Sequence, residues 1–247
     1  METMSDIHIN IKNKTYITAN STQHTAIADL KLNLPKNKFV CLVGPSGCGK
    51  TTLLNIIANL DKLYQGEITL GLNHIKPNIG YIFQNPRLLP WRTVRENIEL
   101  ALNTPQAEVI DALLEAMQLT HIQHNYPEHL SLGMSRRIAI IRAFAVNPDI
   151  LLMDEPFVSL DAPTARQVRS LLINLWQQRP HTILFVTHNL REAIALADRL
   201  VFLSAPPMSV VSEIEVSIPR ADRNNESLVE EFRQHLLNQH PEIKNLL

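Results

Sequence analysis

Hydrophobic and polar positions follow two periods along this chain, one typical of strands and one typical of helices. Residues 7–11 alternate between apolar and polar side chains, which predicts a half-exposed strand, and residues 28–34 predict a second strand. Two wholly apolar runs, at residues 39–43 and 150–153, and a third at residues 182–186 that is apolar after Thr182, are typical of strands buried on both faces. Such runs, separated by helical segments, predict an α/β fold with a mostly parallel sheet.

The same periods predict the other elements before and after the middle of the chain. Shorter strands are predicted at residues 66–70, 79–83 and 200–203, and as an edge strand carrying Ile214, Val216 and Ile218. Helices are predicted from Lys50 to about residue 60, over residues 163–178, after the cap residue Asn189, and over residues 227–238. Strands and helices therefore alternate in both parts, as a layered α/β fold requires.

Residues 85–146 carry the helical period instead. Thr93 and Glu96 have the spacing of a capping box, which predicts a helix start. A second helix is predicted to begin at residues 104–105, and a third begins near Ser131. The second helix is indicated by apolar residues that recur at helical spacing, which are Val109, Ala112, Leu113, Ala116 and Met117. The pattern predicts a helical subdomain inserted between strands.

Composition removes several classes of protein from consideration. The 247 residues are 45% hydrophobic with a formal net charge of −1, which provides a core but no basic face for nucleic acid. The two cysteines, Cys41 and Cys48, suggest no disulfide framework and fit a reducing compartment. Residues 1–10 show no secretory signal, and no window reaches the roughly 18 uninterrupted apolar residues of a membrane span. Any role at a membrane is therefore expected to be peripheral.

Residues 44–52 form a glycine-rich loop between an apolar strand and an apolar helix. They match the pattern G-x-x-x-x-G-K-[ST] at every fixed position, and they hold three of the seven glycines in the chain. Glycine lets the backbone wrap an anion, and the following helix N-terminus attracts phosphate. Lys50 is expected to reach the β- and γ-phosphates, and the Thr51 hydroxyl to bind Mg²⁺. The predicted nucleotide contacts are Gly44, Pro45, Ser46, Gly47, Cys48, Gly49, Lys50, Thr51 and Thr52.

Two carboxylates follow the buried strand at residues 150–153. Ligands collect at the carboxyl ends of the strands in such folds, so Asp154 and Glu155 are candidates for the same site. Asp154 is predicted to hold the Mg²⁺ shell, and Glu155 to polarise the water that attacks the γ-phosphate. The alternative is a strand that merely ends in acidic surface residues.

A third motif, Leu-Ser-Leu-Gly-Met at residues 130–134, resembles the signature of the ATP-binding subunits of ABC transporters, which begins Leu-Ser-Gly-Gly. The resemblance implies that Ser131, Gly133 and Met134 contact the γ-phosphate of an ATP held by a second copy. A homodimer would then bury two ATP molecules. The motif again uses the N-terminus of a helix to bind an anion.

Other parts of the family pattern fall in the same order along the chain. Gln84 resembles the family's glutamine loop, which implies contact with Mg²⁺ and the γ-phosphate. Asp161 lies in a loop that would cross the dimer interface, and His188 resembles the histidine that contacts the γ-phosphate. Tyr16 resembles the aromatic residue that stacks on adenine. Taken singly, each of these residues also has a structural explanation.

The resemblance implies one P-loop NTPase domain over residues 1–247, with an N-terminal antiparallel β subdomain. Its RecA-like core is expected at about residues 1–84 and 147–218, with the helical signature subdomain at about 85–146. A C-terminal helical segment is expected at about residues 223–247, in which we find no motif.

Residues 81–91 are similar to the importers of the nitrate, sulfonate and taurine class. In that class the ATPase is a separate chain on the cytoplasmic face of the membrane, docked beneath two integral-membrane permease subunits. An extracytoplasmic solute-binding protein takes part indirectly. Leu88, Leu89 and Trp91 are expected either to line the docking groove or simply to pack the subdomain. The solute itself cannot be deduced from this chain.

The chain departs from the family pattern at Leu132, where the first glycine of the signature pair usually stands, and at Ser135–Arg136. A leucine would be strained if φ were positive there, so we hypothesise a normal ATP site but weaker or slower closure of the dimer. Alternatively, Leu132 points into the subdomain with little effect. The segment between Gly71 and Gly80 also looks short for the family, which would trim an edge hairpin.

The resemblance predicts an ATP hydrolase coupled to the import of a small anion. Two alternatives remain open at this point. One is a soluble ABC-type ATPase that acts on nucleic acid or ribosomes, against which the absence of a basic face argues. The other is a weakly hydrolysing or non-hydrolysing regulatory subunit, which Leu132 suggests.

Overall fold

The computed structural model describes residues 6–17, 23–70, 77–104, 106–244 and 246. The chain forms two compact units, one of residues 1–76 with 182–247 and the other of residues 77–181. The second unit includes the helical stretch together with two strands and the long helix that follows them.

The first unit begins with an antiparallel sheet. Its strands are β1 (Ile7–Ile17), β2 (Gln23–Leu34) and β4 (Gln65–Thr69), in the order β2-β1-β4. The hairpin of β1 and β2 is longer than predicted, because Tyr16 pairs with His24 in a region whose exposed polar residues hide the strand period. The predicted N-terminal antiparallel subdomain is confirmed.

Three parallel strands form the centre of the first unit. β3 (Phe39–Val43) lies between β7 (Thr182–Thr187) and β8 (Arg199–Leu203), and every residue of β3 is buried. β9 (Val210–Glu215) pairs antiparallel with β8. β9 begins and ends earlier than the predicted edge strand. Its pairing with β8 ends where Glu215 lies opposite Arg199, so Val216 and Ile218 lie beyond the strand.

Four α-helices are present among the described residues of the first unit. They are α1 (Lys50–Ile57), α6 (Leu190–Leu196), α7 (Glu226–Gln239) and α8 (Pro241–Lys244). α1 ends before the predicted residue 60, and the helical segment expected at about residues 223–247 is divided into α7 and α8. Asn189 caps α6 as predicted, since its side chain accepts from the N–H groups of Arg191 and Glu192.

The second unit contains a parallel pair of strands, β5 (Ile79–Ile82) and β6 (Ile150–Asp154). Its helices are α2 (Val94–Glu99), α3 (Ala107–Ala116), α4 (Leu132–Ala145) and α5 (Ala162–Gln178). The capping box at α2 is confirmed: Glu96 N–H donates to Thr93 Oγ1 over 3.3 Å, and Thr93 N–H donates to Glu96 Oε2 over 2.7 Å. Because β5 and β6 are parallel, their carboxyl ends lie at the same edge of the sheet.

The buried face of α3 is not the stripe of apolar residues that indicated the helix in the sequence. Ile110, Leu114 and Met117 are buried, whereas Val109 and Ala112 are exposed. Both sets recur at helical spacing, so the period alone could not decide which of two neighbouring stripes packs inward. Residue 105, predicted near the start of this helix, and residues 71–76 of the segment that looked short lie outside the described residues.

Candidate functional site

The glycine-rich loop connects β3 to α1 in the first unit. Gly47 and Gly49 have φ values of 75° and 113°, in the left-handed region that favours glycine. Gly49 is the N-cap of α1. Because glycine has no side chain, the cap residue makes no side-chain hydrogen bond to the first N–H groups of the helix. A helix start of this kind is suited to a phosphate.

Lys50 lies buried within this loop. Its Nζ donates to the carbonyl oxygens of Gly44 at 2.7 Å and Pro45 at 2.8 Å, and lies 3.8 Å from Cys48 Sγ. The ammonium is therefore held inside the curve of the backbone that the sequence predicts to surround phosphate. Cys41 and Cys48 are free and buried, and burial raises the pKa of the Cys41 thiol well above its ordinary value.

Tyr16 reaches the same loop from the end of β1. Its hydroxyl lies 3.2 Å from Thr52 Oγ1 and donates to Asp61 Oδ2 over 3.1 Å, while 39% of the residue stays exposed. The structure thus brings the predicted adenine contact to the phosphate loop. Asp61 was missed from the sequence, because no local pattern relates it to a tyrosine 45 residues earlier.

His188 follows β7 and is exposed. The turn around it is fixed on both sides: Thr187 Oγ1 donates to Glu192 Oε2 over 3.0 Å, and Asn189 N–H donates to Thr187 Oγ1 over 3.0 Å. The first unit therefore holds the phosphate loop, Tyr16 and His188 among the predicted site residues.

Asp154 and Glu155 lie at the carboxyl end of β6 in the second unit. Asp154 is buried, and Glu155 has a φ of 45°, which is uncommon for a residue with a side chain and often marks a functional position. Gln84, just beyond β5, donates from Nε2 to Glu155 Oε2 over 3.3 Å. Two residues predicted independently from the sequence therefore meet at one sheet edge.

An aromatic stack lies beside these carboxylates. The rings of Tyr81 and Phe83 are 4.0 Å apart, and the Arg87 guanidinium lies 3.9 Å from the centre of the Phe83 ring. Burial and the nearby Asp154 carboxylate raise the pKa of Tyr81, so its hydroxyl remains protonated at neutral pH. The two stacked rings lie directly before Gln84 in the chain, on the segment that leads to it.

The signature segment forms the N-terminus of α4. Ser131 is the N-cap, and its Oγ accepts from Met134 N–H over 3.2 Å. Leu132 is the first helical residue, so its backbone does not have the positive φ that would strain a leucine. Its side chain is exposed, with 44% of the residue accessible. Gly133 is buried, and a Cβ built there would lie 2.8 Å from Thr164 Cγ2.

Asp161 is the N-cap of α5, where its Oδ2 accepts from Thr164 N–H over 3.1 Å. Hydrogen bonds from Thr164 lower the pKa of the Asp161 carboxyl. Because Gly133 also packs on Thr164, the signature segment and the predicted dimer-interface loop share one neighbour.

Arg136, one of the departures from the family pattern, is buried in the second unit. Its guanidinium makes long hydrogen bonds to the carbonyl oxygens of Phe83 at 3.4 Å and Val158 at 3.5 Å. Burial lowers the pKa of Arg136, and the Glu155 carboxylate opposes that shift. Arg136 thus connects the segments that follow β5 and β6. The sequence indicated the unusual residue but not this contact.

Among the residues that the structure describes, no helix combines the length and apolar content needed to cross a bilayer. The second unit holds the remaining predicted site residues, which are Gln84, Asp154, Glu155, Ser131, Gly133, Met134 and Asp161.

Comparison with known proteins identifies the family of this chain. A family model described as ABC transporter matches residues 27–158. An aliphatic sulfonates import ATP-binding protein of Bacillus cereus is 42% identical over 219 residues, which cover 86% of this chain and 87% of that protein. A nitrate import ATP-binding protein of Synechococcus elongatus is 37% identical over 239 residues, covering 92% of this chain and 86% of that protein.

Solved structures give the same result for the fold. A dimeric bacterial ABC transporter cassette superposes with a TM-score of 0.74 at 30% identity, covering 86% of this chain and 100% of that one. The same cassette in a dimeric post-hydrolysis state, bound to ADP and Pi, gives a TM-score of 0.74 at 28% identity. The predicted fold is confirmed, and the chain belongs to the ABC transporter family as an ATP-binding cassette.

Proposed function

We propose that this chain is the ATP-binding and ATP-hydrolysing subunit that energises a membrane importer. The observation that carries the proposal is the loop of residues 44–52, with left-handed glycines and the Lys50 ammonium held inside its curve. That arrangement presents backbone N–H groups and one cation to a polyphosphate. Relatives named as import ATP-binding proteins, similar over most of the chain, support the coupling to import.

Mg²⁺ would accompany the nucleotide. The Thr51 hydroxyl, the Asp154 carboxylate and the Gln84 amide carbonyl would be its protein ligands, since Mg²⁺ prefers oxygen atoms. Mg²⁺ typically binds through one or two protein carboxylates together with the substrate phosphates. The ion would neutralise charge on the β- and γ-phosphates.

Glu155 would polarise the attacking water. Its carboxylate accepts a hydrogen bond from the Gln84 amide over 3.3 Å, so a movement of either side chain would change this contact. His188 would contact the γ-phosphate, and Tyr16 would stack on adenine. The chain would complete its nucleotide site only as a homodimer, with Ser131, Gly133, Met134 and Asp161 contributed by the second copy.

The membrane partners would be two integral permease subunits, with this chain peripheral on their cytoplasmic side. Trp91 supports such docking, since 69% of its surface is exposed, whereas Leu88 and Leu89 in the same segment are half-buried. The relatives are named for aliphatic sulfonates and nitrate, so a small anion such as nitrate, a sulfonate or taurine is the proposed solute. An extracytoplasmic solute-binding protein would deliver it.

The Glu155→Gln variant tests the catalytic assignment. It keeps the size and the neighbours of the side chain but removes the carboxylate, so ATP should bind and turnover should fall by about a hundredfold or more. Size-exclusion chromatography with light scattering should show an ATP-stabilised dimer. Glu128→Gln, at an exposed position in the same unit, is the matched control. Turnover at the wild-type rate in Glu155→Gln would remove Glu155 from this role.

The import assignment needs the membrane partner. Cells that express this chain with its cognate permease and binding protein should accumulate labelled nitrate, sulfonate or taurine, and Glu155→Gln should abolish uptake. Uptake that is unchanged by this variant would contradict the proposed coupling. The same panel of solutes decides which anion is carried.

A further inference from the structure

A buried ion pair lies beside Tyr16 in the first unit. Lys14, on β1, is only 3% exposed, and its Nζ donates to Asp61 Oδ1 at 2.8 Å and to the Leu63 carbonyl at 2.9 Å. Asp61 Oδ2 lies 2.7 Å from the same nitrogen. A lysine is rarely buried unless it is paired, and here both carboxylate oxygens and a carbonyl oxygen satisfy it.

Asp61 also binds Tyr16. It accepts a hydrogen bond from the Tyr16 hydroxyl at 3.1 Å through Oδ2. Burial alone would raise the pKa of Asp61, but the hydrogen bonds from Lys14, Leu63 and Tyr16 outweigh it and lower the pKa. The carboxylate is therefore ionised at neutral pH and remains an acceptor for both side chains.

The ammonium also lies over the tyrosine ring. Lys14 Nζ is 4.4 Å from the Tyr16 ring centroid, within the range of a cation–π interaction. A cation on one face withdraws electron density from the ring. That favours stacking of an electron-rich base on the remaining face, because aromatic stacking depends on complementary charge distributions. Since 39% of Tyr16 is exposed, the residue keeps surface for a ligand.

The tyrosine hydroxyl connects this group to the phosphate loop. It lies 3.2 Å from Thr52 Oγ1, and Thr52 lies in the first turn of α1, two residues after Lys50. One hydroxyl therefore joins the ring proposed to hold the base to the helix proposed to hold the phosphates. The distance between the two parts of a nucleotide would be set by this link.

We propose that Lys14 and Asp61 are positioning residues for recognition of the adenine base. They hold the Tyr16 ring at a fixed angle and distance from the phosphate loop, and Lys14 strengthens stacking through the ring. The inference rests on the proposed function, since it assigns to the nucleotide site two residues that touch no nucleotide themselves. The competing explanation is that the ion pair only ties β1 to the segment after α1.

The two explanations differ in their dependence on the base. We would measure binding of ATP and of inorganic tripolyphosphate by titration calorimetry, because tripolyphosphate fills the phosphate loop but has no base. Lys14→Met and Asp61→Asn should weaken ATP binding by about tenfold, the equivalent of one cation–π contact and one charged hydrogen bond. Binding of tripolyphosphate should stay within about twofold of wild type.

Two further variants make the test specific. Lys12→Met removes an exposed lysine from the same strand and should leave both affinities unchanged. Tyr16→Phe keeps the ring but loses the hydroxyl that contacts Asp61 and Thr52, at an exposed position where folding is not at risk. It should weaken ATP binding by about threefold and leave tripolyphosphate binding unchanged.

The outcomes separate this inference from the function on which it rests. Equal weakening of ATP and tripolyphosphate would show a purely structural ion pair, and unchanged ATP affinity in Lys14→Met, Asp61→Asn and Tyr16→Phe would overturn the inference. A wild-type chain that binds tripolyphosphate as tightly as ATP would overturn it alone. A wild-type chain that binds neither would overturn the proposed function and this inference with it. If Lys14→Met fails to fold, Tyr16→Phe decides.

Discussion

The phosphate loop and the signature segment both place glycines at the start of a helix, but for different reasons. In the phosphate loop, Gly47 and Gly49 adopt positive φ, and the helix start has no side-chain cap. In the signature segment, Ser131 caps the helix with its own hydroxyl, and Gly133 is helical. A Cβ at Gly133 would lie only 2.8 Å from Thr164 Cγ2, which explains the need for glycine there.

The difference indicates how each segment can meet a phosphate. The phosphate loop is shaped by its own backbone and already contains a cation, so it can bind a polyphosphate within one chain. The signature segment has one donor occupied by Ser131 and no cation in its first turn. It is therefore expected to act only after a second copy brings a nucleotide to it.

The largest expected effect comes from removing the cation of the phosphate loop. Lys50→Ala should weaken ATP binding to the isolated chain by about a hundredfold, because a charged hydrogen bond to phosphate is lost. Ser131→Ala should leave that affinity unchanged, since the signature serves the nucleotide of the partner. Titration calorimetry on both variants, with the exposed Lys31→Ala as control, measures the contrast. If Ser131→Ala lost as much ATP affinity as Lys50→Ala, the proposed difference between the two segments would be contradicted.

The sequence alone predicted one side of this comparison, the phosphate loop, together with the carboxylates at the end of β6. The phosphate loop could be predicted because its glycines serve local backbone geometry, which leaves a fixed spacing in the sequence. Asp154 and Glu155 could be located because a buried strand precedes them. The roles assigned to these residues stay predictions until they are tested in solution.

Contacts between distant segments could not be predicted. Nothing near Gly133 in the sequence indicates that Thr164 packs on it, and nothing near Tyr16 indicates Asp61. The helical period of α3 allowed two faces, and packing selected the one with Ile110 and Leu114. Contacts between distant segments and the choice of a buried helix face depend on tertiary packing, which local propensity does not describe.

A second variant tests whether Gly133 is required by packing. Gly133→Ala should lower the free energy of unfolding by up to about 2 kcal/mol, because an overpacked contact costs about 1 to 3 kcal/mol, of which the better helix propensity of alanine returns about 0.5 to 1 kcal/mol. Gly133→Ala combined with Thr164→Ser should recover most of that loss, since serine lacks the Cγ2 atom. Urea denaturation followed by circular dichroism measures both variants.

The single variant Thr164→Ser is the control for this pair. It keeps the hydroxyl and the N–H that Asp161 accepts from, so its own effect on stability should be small. If the double variant is no more stable than Gly133→Ala, the packing explanation fails. Thr164 would then not explain the glycine, and this difference between the two segments would be lost.

Leu132 gives the smallest expected effect and the sharpest comparison with the phosphate loop. Its backbone is helical, so strain cannot slow the closure of a dimer, but its side chain is 44% exposed beside Ser131. If leucine hinders closure, it does so by bulk. Leu132→Ala and Leu132→Gly remove that bulk equally, while only glycine would relieve a strained backbone.

We therefore expect Leu132→Ala and Leu132→Gly to raise ATP-driven dimerisation and ATP turnover by the same factor, about two- to fivefold if the side chain contributes up to about 1 kcal/mol. Glycine should also cost the helix about 0.5 to 1 kcal/mol of stability relative to alanine. Light scattering with ATP and a phosphate-release assay measure these effects. A gain in glycine alone would show that the backbone changes on closure, and no gain in either would show that Leu132 does not limit closure.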